Sequence, residues 1–428
     1  MSEELPKDNN EFEEIVPLGQ NKNFTLIMLA RFVSFLGDSV HGFTLTWYIL
    51  NVIGQGKVLG WMLFFSILPA IIIGPFAGVL ADRFDRRKIM IIMDVIRGCF
   101  AIFLAYLVMI NQAPLWVLLS ITVVLSICGS IYFPASGALF PNLVHQRQLI
   151  RANAIASFLG TSTAIMGQIF GGFLYDLINA QGLFFVNGLT FFFAAACESF
   201  VFVPNLTNSI ETKANHYFKN LAEGFKYVYK TKALLAMLLF GATVNFFFFP
   251  IQNIVQPFIG NKILLLDSKQ FGFVVAFFQV GMIVSVLLLQ FLPQPKKKYR
   301  FMLWSMFAQS LGLLLLAIPI LPFIKSLIGD NTTIFIALYS TIILSRGLAF
   351  GLTNVPMQVV YQSLTPDEYR GRVFALQGAA FQGFMMISML LAGNLIDIFP
   401  AYQLCIFAGV AMGIACLLMF RVKATQDI

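Results

Sequence analysis

Twelve apolar runs, each long enough to form a membrane-crossing helix, decide what this chain can fold into. A helix needs about 20 predominantly apolar residues to cross the hydrocarbon core. Such runs lie at roughly 24–50, 58–81, 88–110, 114–139, 152–178, 182–203, 233–259, 270–292, 299–321, 333–360, 372–398 and 400–421. They are continuous, whereas the strands of a membrane barrel are short and alternate in polarity, so a barrel is excluded. Of the 428 residues, 58% are hydrophobic and 11% are charged, against about 25% charged in a soluble domain. No water-soluble fold of this size has interior enough for that apolar surface. A soluble enzyme, a secreted disulfide scaffold and a disordered chain are therefore excluded. The five cysteines (Cys99, Cys128, Cys197, Cys405, Cys416) fall inside apolar runs and imply no disulfide framework. The first 23 residues are polar and acidic, unlike the basic start and short apolar core of a cleavable signal peptide.

Lys and Arg set the expected orientation. With both termini cytoplasmic, 21 of the 28 basic residues lie on the inner side. Four lie in outer loops (Lys57, Lys262, Lys269, Lys325) and three within spans (Arg31, Arg97, Arg346). This asymmetry absorbs the net charge of +8, and the scatter of the basic residues argues against a nucleic-acid partner. The expected organisation is a cytoplasmic tail (1–23), a six-helix bundle (24–203), a cytoplasmic linker (204–232), a second six-helix bundle (233–421) and a short cytoplasmic tail (422–428). Within the linker, Phe218, Leu221, Phe225 and Val228 form an amphipathic stripe suited to the inner membrane surface. The two bundles repeat. Leu143, Arg151, Ala154, Gly172, Leu174 and Asp176 recur 221 residues later as Leu364, Arg372, Ala375, Gly393, Leu395 and Asp397, and Pro134 recurs at Pro356. Two parallel six-helix repeats imply a two-fold axis along the membrane normal and a central cavity. Asp176 and Asp397, at equivalent span ends, read as structural residues near the outer surface.

Ionisable residues inside spans are costly and are functional candidates by default. Asp38 lies about 21 Å along span one at 1.5 Å per residue, with His41 on the same face. Burial disfavours a carboxylate anion and a nearby cation favours it, so an acid held between those effects can take and release a proton. Asp94 and Arg97 are spaced to pair on span three, either permanently or with Arg97 changing partner as an acid protonates. Glu198 near the end of span six fits a proton role or simple snorkelling. Arg346, mid-span in ten, has no sequence-local partner and is expected to face the cavity or a distant acid. Arg31 is shallow and reads as an interface anchor. The expected cavity lining is aromatic and amide-rich: Asn245, Phe249, Gln252 and Gln256 in span seven, Arg346, Asn354 and Gln358 in span ten, Gln377 and Gln382 in span eleven. Seventeen Met and 47 Phe supply an adaptable apolar surface. Such a lining suits hydrophobic cations or uncharged amphiphiles better than sugars or phosphates.

The loop after span two reads Gly78-Val79-Leu80-Ala81-Asp82-Arg83-Phe84-Asp85-Arg86-Arg87-Lys88. Gly78 allows close helix approach. Asp82 can pair with Arg or sit at a facing helix N-terminus, a contact worth about 0.3–2 kcal/mol that one conformer makes and another breaks. There is no G-x-x-x-x-G-K-[ST] loop, no H-E-x-x-H, no G-x-S-x-G and no Cys/His cluster with metal spacing, so neither ATP drive, a metal nor a cofactor is expected.

This loop resembles the major facilitator signature G-x-L-A-D-R-x-G-R-K, with Asp85 in place of the usual Gly. Gly167-Gln168-Ile169-Phe170-Gly171-Gly172 in span five resembles the antiporter signature G-P-x-x-G-G, with Gln168 in place of Pro. Arg31, Ser34, Gly37-Asp38, Trp47, Leu68-Pro69, Gly74-Pro75, Asp94-Val95-Ile96-Arg97 and Ala222-Glu223-Gly224 are similar to the macrolide-efflux branch of the twelve-helix drug:proton antiporters. The resemblance implies two six-helix bundles around a cavity. It implies a bacterial cytoplasmic-membrane exporter of lipophilic small molecules, exchanged for protons and usually working as a monomer. Asp38, His41, Asp94, Arg97 and Glu198 are the expected coupling residues. Gly78, Asp82, Arg83, Arg86 and Arg87 form the expected gating loop, and Gly167, Gly171 and Gly172 the span-five motif. Siderophore exporters and lysophospholipid flippases share many of these residues, so a dedicated metabolite is the alternative cargo. A transport-dead receptor or scaffold is a further alternative.

Overall fold

The structure, a computed structural model, describes residues 16–202, 215–291, 297–329 and 331–422. The described residues are helical and contain no strand. In the first half they form α1 (Lys22–Tyr48), α2 (Gly56–Arg83), α3 (Arg86–Met109), α4 (Leu115–Leu139) and α5 (Leu149–Ser199). The linker helix is α6 (Asn215–Lys230). The second half holds α7 (Lys232–Pro250), α8 (Ser268–Phe291), α9 (Lys298–Ala317), α10 (Thr332–Leu364), α11 (Asp367–Ile396) and α12 (Ala401–Phe420). In a medium without water every backbone group must find its partner within the chain, and helices do this within one segment.

Among the described residues, eleven helices are long and apolar enough to cross a membrane. The difference from the expected twelve lies in α5, which joins spans five and six. At Asn179 the backbone takes a positive φ with an extended ψ (φ 56°, ψ −178°), far from helical values, and the helix breaks. The chain reverses there. Before the turn, Gly167 and Gly171 follow Ser39 and Phe43 of α1 in parallel. After it, Gly37 meets Asn187 and Thr190 while Ala30 meets Ala194 and Cys197, an antiparallel run. The twelve passes are thus present, and the first and last described helices begin and finish at one end of the bundle, here called the terminal end.

At the opposite, far end the two halves meet closely. Gly60 of α2 packs on Gly393 of α11, where an added Cβ on Gly393 would sit 2.6 Å from the Gly60 Cα. Gly172 of α5 packs on Gly272 of α8, with 3.0 Å for the corresponding distance. Small residues permit such close crossings between membrane helices. Each crossing is locked by an aspartate. Asp397 accepts hydrogen bonds from the backbone N–H groups of Gly56 (2.8 Å) and Lys57 (2.9 Å), the start of α2. Asp176 accepts from Ser268 Oγ (2.5 Å), the start of α8, and lies 3.6 Å from Lys269 Nζ. Asp397 thus caps a helix of the other half, where the free N–H groups and the helix dipole favour an anion, and Asp176 binds the first side chains of another. A third link is Asn261 Nδ2 donating to Asn51 Oδ1 at 2.6 Å. At the terminal end, by contrast, a Cβ at Gly78, Gly378 or Gly383 would meet nothing within 4 Å. The close helix approach expected at Gly78 is therefore not made.

The loop joining α2 and α3 is a connector of helix ends. Asp85 caps α3 by accepting from the Arg87 and Lys88 N–H groups, and its φ of −58° calls for no glycine. Arg86 donates to the carbonyls of Ala81 (3.1 Å) and Ala138 (3.0 Å), and Arg87 to that of Ser199. These carbonyls end α2, α4 and α5, where cations are favoured. Arg83 is exposed. The side chain of Asp82, expected to gate, lies outside the described residues.

Helix α6 docks on the second half. Gly224 lies against the Arg372 backbone, Tyr227 stacks on Tyr369 with ring centroids 4.3 Å apart, and Glu223 pairs with Arg372 at 3.1 Å. The expected membrane-facing stripe is divided: Val228 is buried against this bundle, Phe225 is exposed, and the Phe218 side chain lies outside the described residues. Glycine at position 224 is what lets the helix come close enough to α11 to turn Val228 inward.

Candidate functional site

The first half encloses an ionic cluster assembled from four spans. Helix α1 contributes Asp38, α3 contributes Asp94 and Arg97, α4 contributes Tyr132, and the second limb of α5 contributes Glu198. Arg97 Nη2 donates to both Asp38 oxygens (2.7 and 2.6 Å), and its Nη1 donates to Asp94 Oδ1 (3.3 Å). The guanidinium lies 4.0 Å from the Phe191 ring centroid, a cation–π contact that favours the charged arginine in an apolar setting. Tyr132 OH donates to Glu198 Oε1 at 2.9 Å. Asp94 and Glu198 are both fully buried, and Asp94 Oδ2 and Glu198 Oε2 have no hydrogen-bond partner.

This cluster takes in four of the five expected coupling residues. Glu198 does not snorkel. It is shut in under Tyr132, whose hydroxyl reaches it from α4 while the last turns of α5 pack on α1. Arg31 is more than an interface anchor: its Nε and Nη2 donate to Ser136 Oγ and its Nη2 also to the Ser136 carbonyl. His41 stands one turn beyond Asp38 with its ring 5.0 Å from that of Phe184, and its Nδ1 has no partner.

Asp38 is where the cluster meets open space. Its side chain is 34% exposed, against 0% for Asp94. It lines, with Arg97, His41, Ser66, Ser126 and Ser130, a cavity of about 400 Å³ between α1, α2, α3 and α4. A second cavity of about 290 Å³ lies between the halves and shares Gly42, Thr46 and Leu63 with the first. Its polar wall is made of Gln168, Gln252, Asn253 and Gln279, and its apolar wall of Phe43, Trp47, Phe271 and Phe278. Trp47 and Phe271 stack across the halves at 5.0 Å.

The expected cavity residues divide. Gln252 lines the inter-half cavity with its Oε1 free. Asn245, Phe249, Gln256, Arg346, Asn354, Gln358 and Gln377 stand outside both cavities. Asn245 and Asn354 turn back to bond the carbonyls of Gly241 and Phe350 on their own helices. Phe249 packs edge-on against Phe248, and Gln358 and Gln382 are exposed while Gln377 is half-buried. Gln256 and Arg346 are buried together, with Arg346 Nη1 donating to Gln256 Oε1 at 2.9 Å. Arg346 thus faces neither cavity nor acid, because α10 turns it toward span seven. In their place the structure brings in Ser39, Thr46, Asn253 and Gln279. Ser39 and Thr46 lie close to Asp38 in sequence. Nothing marked Asn253 and Gln279, since an apolar span does not reveal its rotation. Of the span-five motif, Gly167 and Gly171 seat α5 on α1, Gly172 makes the crossing to α8, and Gln168, in an unbroken helix, lines the inter-half cavity. Among the described residues no group of His, Cys, Asp and Glu could hold a metal ion.

Chemically, the cluster sets two carboxylates about one guanidinium. Asp38, Asp94 and Arg97 sum to a formal charge of −1 with both acids ionised, and one proton makes the trio neutral. Isolated charges cost several kcal/mol to bury, so the trio favours arrangements in which the guanidinium serves whichever carboxylate is ionised. Protonating Asp38 at the cavity wall would free Arg97 to turn fully to Asp94.

Three comparisons bear on the kind of protein that carries this arrangement. The family model described as Major Facilitator Superfamily matches residues 27–389. Macrolide efflux protein A of Streptococcus pyogenes is 25% identical over 374 residues, 87% of this chain and 89% of that protein. The staphyloferrin A transporter of Staphylococcus aureus is 22% identical over 272 residues, 61% of this chain and 65% of that protein. Among solved structures, the nucleoside transporter NupG superposes with a TM-score of 0.74 at 13% identity, covering 94% of this chain and 100% of that one.

Proposed function

This chain belongs to the major facilitator superfamily, and we propose that within it the protein exports lipophilic, amphipathic compounds across the bacterial cytoplasmic membrane in exchange for protons. It is a multi-pass membrane transporter, not an enzyme. The observation that carries the exchange reading is the Asp38–Arg97–Asp94 array, with Asp38 open to a cavity and Asp94 closed off. In the proposed cycle the terminal end faces the cytoplasm, in keeping with the positive-inside distribution, and the present conformer receives cargo from that side. The aromatic and amide walls between the halves suit an uncharged or weakly charged amphiphile. The halves then rock, the far end opens, cargo leaves, and a proton arriving from outside neutralises Asp38. The array, relieved of its net charge, permits the return. The protein acts as a monomer in this cycle, since the Asp38–Arg97–Asp94 array is completed within one chain.

Likeness to macrolide efflux protein A favours drug-like cargo. Likeness to the staphyloferrin A transporter favours a second reading, export of a dedicated siderophore. Proteoliposomes holding a pH-sensitive dye test the exchange reading. Adding a transported lipophilic compound is expected to provoke proton movement in the opposite direction. Compound flux with no accompanying proton movement would overturn it, and proton-coupled flux of a siderophore but of no drug would select the second reading.

A further inference from the structure

The second half holds a buried charge that the exchange cycle does not use. Arg346 lies fourteen residues into α10, about 21 Å along its axis at 1.5 Å per residue, and is fully buried. Between Lys232 and Phe420 the sequence has five acids (Asp267, Asp330, Asp367, Glu368, Asp397), all at or beyond the ends of the apolar runs. Among the described residues none forms an ion pair with Arg346. Its ionisable neighbours are a thiol and a phenol, Cys405 and Tyr339, and the phenol is engaged with the Leu316 carbonyl at 3.0 Å. Arg97 in the first half shows the contrast, with two carboxylates and a ring about one guanidinium. A cation buried in this way without a counter-charge costs several kcal/mol.

The free atoms define the missing partner. Nη1 is fixed by Gln256 at 2.9 Å, while Nε and Nη2 have no acceptor. Those two N–H groups form the parallel fork that takes a carboxylate bidentately or a halide between them. Gln256 Nε2, from the residue that pins the guanidinium, also lacks a partner. All three orphaned atoms on this pair are donors, which suits an anion. Span seven departs from α-geometry on both sides of Gln256, in π-helical turns at Ile251–Val255 and Ile259–Ile263, a feature frequent at functional sites. Phe248 lies over Arg346 (5.2 Å) and stacks on Phe350 (5.1 Å), while Phe278, 6.1 Å from Phe248, lines the inter-half cavity. Phe248 and then Phe278 therefore connect the guanidinium to the wall of that cavity.

We propose that the Nε/Nη2 edge of Arg346, with Gln256, is a binding site for a monovalent anion, either a halide or the carboxylate of a cargo molecule, reached from the inter-half cavity past Phe248. The site stands whether or not the protein is a proton-coupled exporter. The test is thermal unfolding of the purified full-length protein as potassium chloride, or potassium benzoate, replaces potassium sulfate at constant ionic strength. A saturable rise in the midpoint with chloride alone assigns a halide, with benzoate alone a carboxylate, and with both a site open to either. The rise is expected to vanish in Arg346→Met. In Gln256→Leu, which keeps the fork but removes one donor to a charged group, the half-saturating concentration should rise about tenfold. A midpoint that responds saturably to neither salt in the parent protein overturns the proposal, even if Arg346→Met fails to fold. So does a response that survives in Arg346→Met.

Discussion

Arg97 is the residue through which the first half holds together. Its guanidinium answers two carboxylates and the face of Phe191, so removing it strands buried charge. Breaking a buried pair by deleting one partner costs about 3–5 kcal/mol. Arg97→Ala is therefore expected to lower the thermal unfolding midpoint sharply, and adding Asp94→Asn to that variant should recover part of the loss. A midpoint unchanged by Arg97→Ala would show that the pair is not made. Tyr132→Phe makes a finer point. It removes the hydrogen bond to Glu198 Oε1 and leaves a buried carboxyl without a partner, a loss of about 1–3 kcal/mol. Glu198→Gln in the same background should restore stability, which denaturant or thermal unfolding would read. The i, i+3 spacing of Asp94 and Arg97 could be read along one helix. The pairing of Arg97 with Asp38 could not, because 59 residues separate them and only the packing of both α1 and α3 on α5 brings them together. Tyr132 escaped notice for the same reason, since an aromatic in an apolar span carries no mark of what its hydroxyl will meet.

At the scale of elements, the far-end seal governs which conformer the halves adopt. Two glycine crossings, the Asp397 cap and the Asp176–Ser268 bond tie α2 to α11 and α5 to α8. The 221-residue repeat already placed Gly172 with Gly393 and Asp176 with Asp397 at equivalent positions. It could not say that each reaches into the opposite half, since a repeat gives equivalence within halves and not contact between them. Asp397→Ala removes two charge-assisted hydrogen bonds, together about 1–3 kcal/mol, and each 1.4 kcal/mol is a tenfold change in a conformational ratio. Spin labels at Val52 and Leu265, exposed far-end positions on the two halves, should then show a new population at longer separation. Gly393→Leu, which forces a side chain against the Gly60 backbone, should move the same distance the same way. An unaltered distance distribution in both variants would mean that the seal contributes nothing to the balance.

Across the whole molecule, the all-helical, multi-pass architecture was legible because span length is set by bilayer thickness rather than by side-chain detail. The break at Asn179 and the rotation of each span were not, because uniformly apolar helices can present any face. Charge is divided unequally between the halves: the first holds Asp38, Asp94, Glu198, Arg31 and Arg97 in its interior, and the second holds Arg346. The proposed proton exchange accordingly uses groups of the first half, while Gln252, Asn253 and Gln279 of the second half lend amides to the inter-half cavity. The account rests on the charge of Asp38 being what the proton acts upon. The direct test is accumulation of a lipophilic compound in proteoliposomes under an imposed pH gradient, with binding measured alongside, in the parent protein and in Asp38→Asn. The variant is expected to bind the compound as the parent does while the gradient no longer drives accumulation. Gradient-driven accumulation at the parental level in Asp38→Asn would contradict the account.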